Sequence, residues 1–137
     1  MAIRKLNHVA VAVSDLDGAV RLFRDVLGLA VSEPEDVAAQ KVRTVMVPLG
    51  DTRIELVWPT SDDSPIAKYL SKKGPGLHHL CYEVDDVAAT IAAMKDAGLQ
   101  MIDEEPRDGV HGTKIAFAHP KSAGGVLTEF AELPEDQ

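Results

Sequence analysis

Four residues of this 137-residue chain have the types and spacing for metal chemistry: His8, Glu55, His79 and Glu129. His8 lies in Asn7-His8-Val9-Ala10 and His79 in His78-His79-Leu80-Cys81. The offset that aligns those segments also matches Val13 to Val84, Asp15 to Asp86 and Asp25 to Asp96. It grows by one residue at Glu33-Pro34 against Glu105-Pro106, and by three at Ile54-Glu55-Leu56 against Thr128-Glu129-Phe130. Small drifts of this kind are what loop insertions leave in a duplicated unit. Two halves that fold alike and pair about a pseudo-twofold axis would converge two imidazoles and two carboxylates on one point. Mixed nitrogen and oxygen donors suit a divalent ion that must also keep positions open for a substrate.

Taken singly, each residue has a plainer reading. A lone strand histidine is more often a satisfied core residue than a ligand, and Glu55, between Ile54 and Leu56, has an even claim to face solvent. Glu129 is harder to set aside, because Val126-Leu127-Thr128-Glu129-Phe130-Ala131 is otherwise apolar or small. A dry carboxylate there is costly without a cation or donors. The recurrence of His and Glu at matching places in a repeat favours the metal.

The elements that must position these residues follow from periodicity. Leu6 to Val13 alternates, so Val9, Val11 and Val13 are expected under a helix, with His8, Ala10 and Ala12 on the opposite face. Ser14 is the expected N-cap of a helix that stops at Gly28, and Asp15 and Asp17 favour its positive end. Leu29 to Ser32 reads as a short strand and Glu33 to Lys41 as a loop. Val42 to Leu49 and Arg53 to Trp58 read as a hairpin across Gly50-Asp51, with Arg53, Glu55 and Val57 on one face. A connector follows, where Ser64-Pro65 starts a short helix that ends at Gly74-Pro75-Gly76.

The scheme then repeats. Leu77 to Val84 is a strand, with Leu80 and Tyr82 expected under the helix that Asp85 caps and Gly98 ends. Leu99 to Asp103, Thr113 to Ala118 and Val126 to Ala131 are three more strands, and Pro134 to Gln137 is expected to fray. The expectation is an α+β domain spanning 1–137: two tandem βαβββ modules, about 5–60 and 77–132, joined by a connector helix at about 64–74. Together they form a curved, barrel-like mixed sheet around a metal site. By strand parity His78 points away from His79 and is expected to pack. His111 lies in a glycine-flanked loop, and His119 and Lys121 lie just past a strand end. These three are candidate substrate-binding residues.

Bulk properties narrow the class. A hydrophobic content of 45% excludes disorder, and no apolar run approaches the ~20 residues of a membrane span. The opening Met1-Ala2-Ile3-Arg4-Lys5 has no signal-peptide pattern, and the single cysteine, Cys81, is expected as a small buried strand residue. A reducing, cytoplasmic setting is expected. A net charge of −8 argues against nucleic acid or an anionic membrane as partner.

With these residues in hand, the chain resembles the vicinal oxygen chelate (glyoxalase-like) superfamily. More narrowly, it is similar to the methylmalonyl-CoA epimerase family. Four segments carry the narrower resemblance: Asp63-Ser64-Pro65-Ile66-Ala67-Lys68-Tyr69-Leu70, Lys73-Gly74-Pro75-Gly76-Leu77-His78-His79, Glu104-Glu105-Pro106 to Gly112, and His119-Pro120-Lys121 through Gly124-Gly125-Val126-Leu127-Thr128-Glu129. The resemblance runs from about Leu6 to Glu132.

It implies an isomerase of the racemase/epimerase class acting on methylmalonyl-CoA, with one divalent ion per subunit and a homodimeric assembly. His8, His79 and Glu129 match the family's metal ligands, and Glu55 matches a fourth position that holds Gln in some relatives. Glu129 also matches a proposed acid/base. Some members carry a second catalytic glutamate where this chain has Thr44, and threonine cannot abstract a proton near neutral pH, so Glu55 is the best remaining candidate. Two carboxylates suit Mg2+, Mn2+ or Co2+ and two imidazoles also admit Zn2+ or Ni2+; the resemblance favours Co2+.

The chemistry expected is abstraction of the C2 proton through a metal-stabilised enediolate, and its return to the other face, interconverting the (2R) and (2S) thioesters. The rivals are a glyoxalase I-like lyase/isomerase, a ring-cleaving Fe(II) dioxygenase, and a metal-free binding or resistance protein on the same scaffold. A fourth protein ligand at Glu55 counts against the dioxygenase. The intact quartet counts against the resistance protein.

Overall fold

The computed structural model describes residues 2–135. The first module contains β1 (Ile3–Ala12), α1 (Leu16–Arg21), β2 (Glu35–Val37), β3 (Val42–Leu49) and β4 (Thr52–Pro59). After α2 (Pro65–Lys73), the second contains β5 (Gly76–Val84), α3 (Val87–Asp96), β6 (Arg107–Asp108), β7 (Lys114–Ala118) and β8 (Leu127–Glu132). This is the α+β, tandem βαβββ plan that the sequence predicts. The strands form one mixed sheet in the order β2-β3-β4-β1-β5-β8-β7-β6. Each module repeats one pairing scheme: its first strand lies parallel to its last, and the remaining pairs are antiparallel. Packing divides the chain into two compact units, His8–His78 and Met1–Asn7 with His79–Gln137, so β1 contributes to both.

Within His8–His78 the strand faces divide as their alternation predicts. Val13, Leu56, Val45 and Val47 pack with Leu16 and Phe23 of the helical segment, and Val11 joins them. On the opposite face Ala12, Val42 and Val57 pack against Ile66, Tyr69 and Leu70 of α2. The connector helix therefore covers part of the face that carries His8 and Glu55. In the other unit Val84, Phe130, Ala116 and Ala118 pack with Val87 and Ile91 of α3, and Tyr82 lies against them. Cys81, Ile115, Ala131 and Phe117 form the opposite cluster.

Several local expectations are corrected. Asp15, not Ser14, caps α1, its Oδ1 accepting the Gly18 N–H at 3.0 Å. Asp86, not Asp85, caps α3, accepting from the Ala89 N–H at 3.0 Å, while Asp85 accepts from the Ala2 N–H. The buried Leu16 and Val87 belong to the first turns, which moves each cap to the residue just before them. The first helix does not run regularly to Gly28. After Arg21 it widens into a π-helical turn, Leu22–Val26, in which the Leu27 N–H reaches the Leu22 carbonyl at 2.9 Å.

Leu29 to Ser32 forms no strand: Leu29 and Val31 pack into the core, and the Ser32 hydroxyl accepts the Met46 N–H at 2.8 Å in place of a ladder bond. β2 forms instead at Glu35–Val37, inside the expected loop. Module two repeats the pattern. Leu99 to Asp103 makes only the isolated bridge Met101–Ala118, and β6 forms at Arg107–Asp108.

The hairpin and connector match the sequence reading. Gly50 takes a φ of 60° in the two-residue turn between Leu49 and Thr52, a position where a side chain would be strained. The Ser64 hydroxyl accepts the Ile66 N–H at 3.1 Å, with Pro65 opening α2. Of the tail expected to fray, residues 136 and 137 lie outside the described residues, and Pro134 and Glu135 have no regular structure. No helix among the described residues is long and apolar enough to cross a membrane.

Candidate metal centre

Each module builds a histidine–glutamate pair by the same register. In the first, Ala10 lies opposite Glu55 across β1–β4, and Met46 lies opposite Glu55 across β3–β4. His8 precedes Ala10 by two positions, which puts it on the same face of β1, and the alanine leaves the imidazole space to reach Glu55. Nε2 of His8 stands 3.8 Å from Oε1 of Glu55.

The second module repeats this with Cys81 opposite Glu129 across β5–β8 and Phe117 opposite Glu129 across β7–β8. His79 precedes Cys81 by two positions, and its Nε2 stands 3.1 Å from Oε1 of Glu129. Ala10 and Cys81 are the small residues of the repeat, and Met46 and Phe117 are its outer flanks. His8, His79 and Glu129 are all at least nine-tenths buried, which no isolated polar group occupies without compensation.

Two donors held ~2.1 Å from one ion at right angles are roughly 3 Å apart, so the 3.1 Å of the His79–Glu129 pair suits a shared cation, and the 3.8 Å of His8–Glu55 is wider. Neutral imidazole nitrogen and ionised carboxylate oxygen are both lone-pair donors, and a cation relieves their mutual repulsion. His8, His79 and Glu129 form a donor set able to hold a metal ion, each offering one ligand atom. Glu55 approaches His8 but is not a member of that three-residue set.

The other candidates fall elsewhere. Thr44 pairs with Val57 and so shares the Glu55 face, but its hydroxyl donates to the Glu35 carbonyl at 3.3 Å and ties β2 to β3. His111 takes a left-handed conformation, φ 56°, in the short turn between Gly109 and Gly112. His119 is a turn residue: its Nδ1 accepts the Lys121 N–H at 3.1 Å, capping the 3-10 turn Pro120–Ser122. His78 packs edge-on against Tyr69, with ring centres 4.9 Å apart.

Sequence reasoning missed Phe117, Asp103 and Arg107. The Phe117 ring stands edge-on to His79 at 5.8 Å, and Arg107 Cζ lies 5.2 Å from the centre of that ring. The repeat itself held a signal for Phe117, since the offset that joins His8 to His79 also joins Met46 to Phe117. Nothing in the pattern marks Arg107.

Residues 7–117 match the family profile described as the Glyoxalase/Bleomycin resistance protein/Dioxygenase superfamily. The chain is 44% identical over 129 residues to the mitochondrial methylmalonyl-CoA epimerase of Mus musculus, covering 93% of this chain and 72% of that one. It is 41% identical over 133 residues to the ethylmalonyl-CoA/methylmalonyl-CoA epimerase of Cereibacter sphaeroides, covering 96% and 99%. A solved variant of the Streptomyces coelicolor methylmalonyl-CoA epimerase, in complex with 2-nitronate-propionyl-CoA, superposes with a TM-score of 0.88 at 34% identity over 99% of each chain. The fold class expected from the sequence, two βαβββ modules in a mixed sheet, is shared with that solved relative. The chain belongs to the glyoxalase/bleomycin resistance protein/dioxygenase superfamily and, within it, to the methylmalonyl-CoA epimerase family.

Proposed function

We propose that this chain is a metal-dependent isomerase that interconverts (2R)- and (2S)-methylmalonyl-CoA. The observation that carries the reading is the duplicated pair, a buried histidine nitrogen beside a glutamate oxygen in each module. The family supports the substrate: relatives that share most of this chain are epimerases of methylmalonyl-CoA. His8, His79 and Glu129 would hold one divalent ion per subunit, with Glu55 as the fourth donor. Bound there, a divalent ion supplies Lewis-acid stabilisation of negative charge developing on the substrate carbonyl oxygen. The mixed donors admit Mg2+, Mn2+, Zn2+ or Ni2+, and Co2+ is the ion we propose.

The side chains supply the proton transfer. The Glu129 carboxylate takes the C2 proton of one epimer and becomes a carboxylic acid, leaving an enediolate on the substrate. Glu55, protonated at the start of this half-reaction, delivers its proton to the opposite face and becomes the carboxylate, so that the two glutamates exchange protonation states and the roles reverse for the other epimer. Around Glu129, Cys81, Ile115 and Ala131 are almost wholly buried, which keeps bulk water from competing for that proton. Thr44, whose hydroxyl serves the strand pairing, takes no part. His111, His119 and Lys121 are proposed as loop contacts for the CoA portion.

The assembly we propose is a homodimer, the commonest closed symmetry. Sedimentation at micromolar concentration that showed only a 14.7 kDa species would contradict it. A single, buried cysteine, Cys81, cannot form an intrachain disulfide and suits a reducing compartment, which supports a cytoplasmic setting. Chelation followed by stoichiometric metal return tests the function. Epimerisation should vanish and then recover with one equivalent of Co2+ per subunit. A rigorously chelated protein with full activity would exclude the metal, and turnover of a glutathione thiohemiacetal without turnover of methylmalonyl-CoA would replace the reading with a glyoxalase.

A further inference from the structure

Arg107 lies on the Glu129 face of the second module, and the proton transfer has no use for it. In β6 it is in register with Ile115, whose side chain belongs to the cluster around Cys81. Its guanidinium lies over Phe117, with Cζ 5.2 Å from the ring centre. Phe117 is the residue opposite Glu129 in β8, and its ring meets that of His79 edge-on at 5.8 Å.

One carboxylate fixes both partners. Asp103 Oδ2 accepts the Phe117 backbone N–H at 2.8 Å, and Oδ1 lies 3.1 Å from Arg107 Nε. The Asp103 side chain is 15% exposed and that of Arg107 55% exposed, so the anchor is largely covered and the cation stays open to a ligand. The tether engages Nε, at the near edge of the fork, and leaves the two terminal amino groups with their N–H donors.

A long, flexible cation in a chain of net charge −8 is thus held in one place, on the Phe117 ring that also meets His79. A guanidinium is planar and pairs with carboxylate through two parallel hydrogen bonds, which a lysine cannot do. We propose that Arg107 is a specificity-determining residue that grips the free carboxylate of the acyl group, selecting carboxylated over neutral acyl thioesters. This rests on the epimerase reading of the site and names what that site selects. The acyl carboxylate is favoured over the CoA phosphates because the ring that carries the guanidinium belongs to Phe117, the residue that meets His79 and pairs with Glu129, where the reacting end of the substrate must lie.

Isobutyryl-CoA is the matched probe, since it replaces the carboxylate of methylmalonyl-CoA with a methyl group. Arg107→Met keeps an apolar stem over Phe117 and removes the fork. In the metal-loaded enzyme this variant should weaken methylmalonyl-CoA roughly 10- to 100-fold, the range for a lost charged hydrogen bond, with isobutyryl-CoA inhibition changed less than about twofold. Arg107→Lys should recover part of the loss, and methylmalonyl-pantetheine, which lacks the nucleotide, should suffer the same factor as the CoA ester.

Equal weakening of both ligands would make Arg107 a staple for β6 and overturn the proposal. So would unchanged discrimination, or a loss confined to the CoA ester, which would assign Arg107 to a nucleotide phosphate. The two readings fail separately. A wild-type enzyme that does not interconvert methylmalonyl-CoA sinks the epimerase reading, whereas an active one whose discrimination survives Arg107→Met sinks only this inference.

Discussion

Glu129 and Glu55 occupy matching places in the two modules, yet Glu129 comes within 3.1 Å of its histidine and Glu55 only within 3.8 Å. Both are asked to move protons, and glutamine separates that role from metal binding because it keeps an oxygen donor and loses the basic carboxylate. Glu129→Gln should retain metal and lower kcat by roughly 10²-fold or more, the low end of general-base contributions. Solvent exchange should then survive for one epimer only, and Glu55→Gln should show the opposite preference. Equal effects of Glu55→Gln on both epimers would leave Glu55 a ligand alone. Thr44→Val should turn over like wild type, since the Thr44 hydroxyl is engaged with the Glu35 carbonyl. His8→Ala or His79→Ala should lower metal content and activity together, read by elemental analysis beside the assay. The repeat made the two histidine–glutamate pairs, His8 with Glu55 and His79 with Glu129, legible because residue types recur in it at fixed intervals. Arg107 was not, because its placement depends on Asp103 folding back onto Phe117, a contact without periodicity.

The helices and hairpin show which elements local sequence determines. Ser64-Pro65 specifies the start of α2 and Gly50 the turn between β3 and β4, and both are as the residues predict, since their conformational demands are met locally. β2 and β6 were not foreseen. They are short edge pairings at Glu35–Val37 and Arg107–Asp108, made of residues with weak strand preference and held mainly by the neighbouring strand. Ser64 is fully buried where α2 meets the Glu55-bearing sheet face. Ser64→Ala should therefore lower the unfolding free energy by about 1 kcal/mol, as for other lost N-caps, measured by urea unfolding. The segment before α2 also has an acid signature. Hydrogen bonds from Lys41 and then Ser61 hold Asp63 down from an ordinary 3.8 to about 2. A depressed folded-state value adds stability that is present above the ordinary value and lost as pH falls toward 2. Asp63→Asn should flatten the stability profile between about pH 4 and pH 2 and leave it nearly parallel to wild type near neutrality. A full acid-limb slope in the variant would show that Asp63 does not contribute.

At the scale of the molecule, duplication accounts for both the architecture and the site. Two modules with the same strand order place a histidine–glutamate pair at the same register in each, so residues that are individually ambiguous gain meaning from their recurrence. Sequence could not reveal where compact packing divides the chain, because that boundary falls inside β1, between Asn7 and His8. Burial makes a further prediction. Cys81 is 0% exposed, so a thiol reagent should modify native protein only as fast as it opens, and denaturant should release the reaction. Immediate stoichiometric labelling under native conditions would contradict the placement of Cys81 opposite Glu129. Proton exchange at C2 between two faces can be followed in deuterated water. Metal-loaded protein is incubated separately with (2R)- and (2S)-methylmalonyl-CoA, and deuterium at C2 is followed together with epimer composition. Each epimer is expected to acquire solvent deuterium at C2, and both samples to converge on the same epimer mixture. Metal-loaded protein that leaves both epimers unexchanged and unconverted would contradict this expectation.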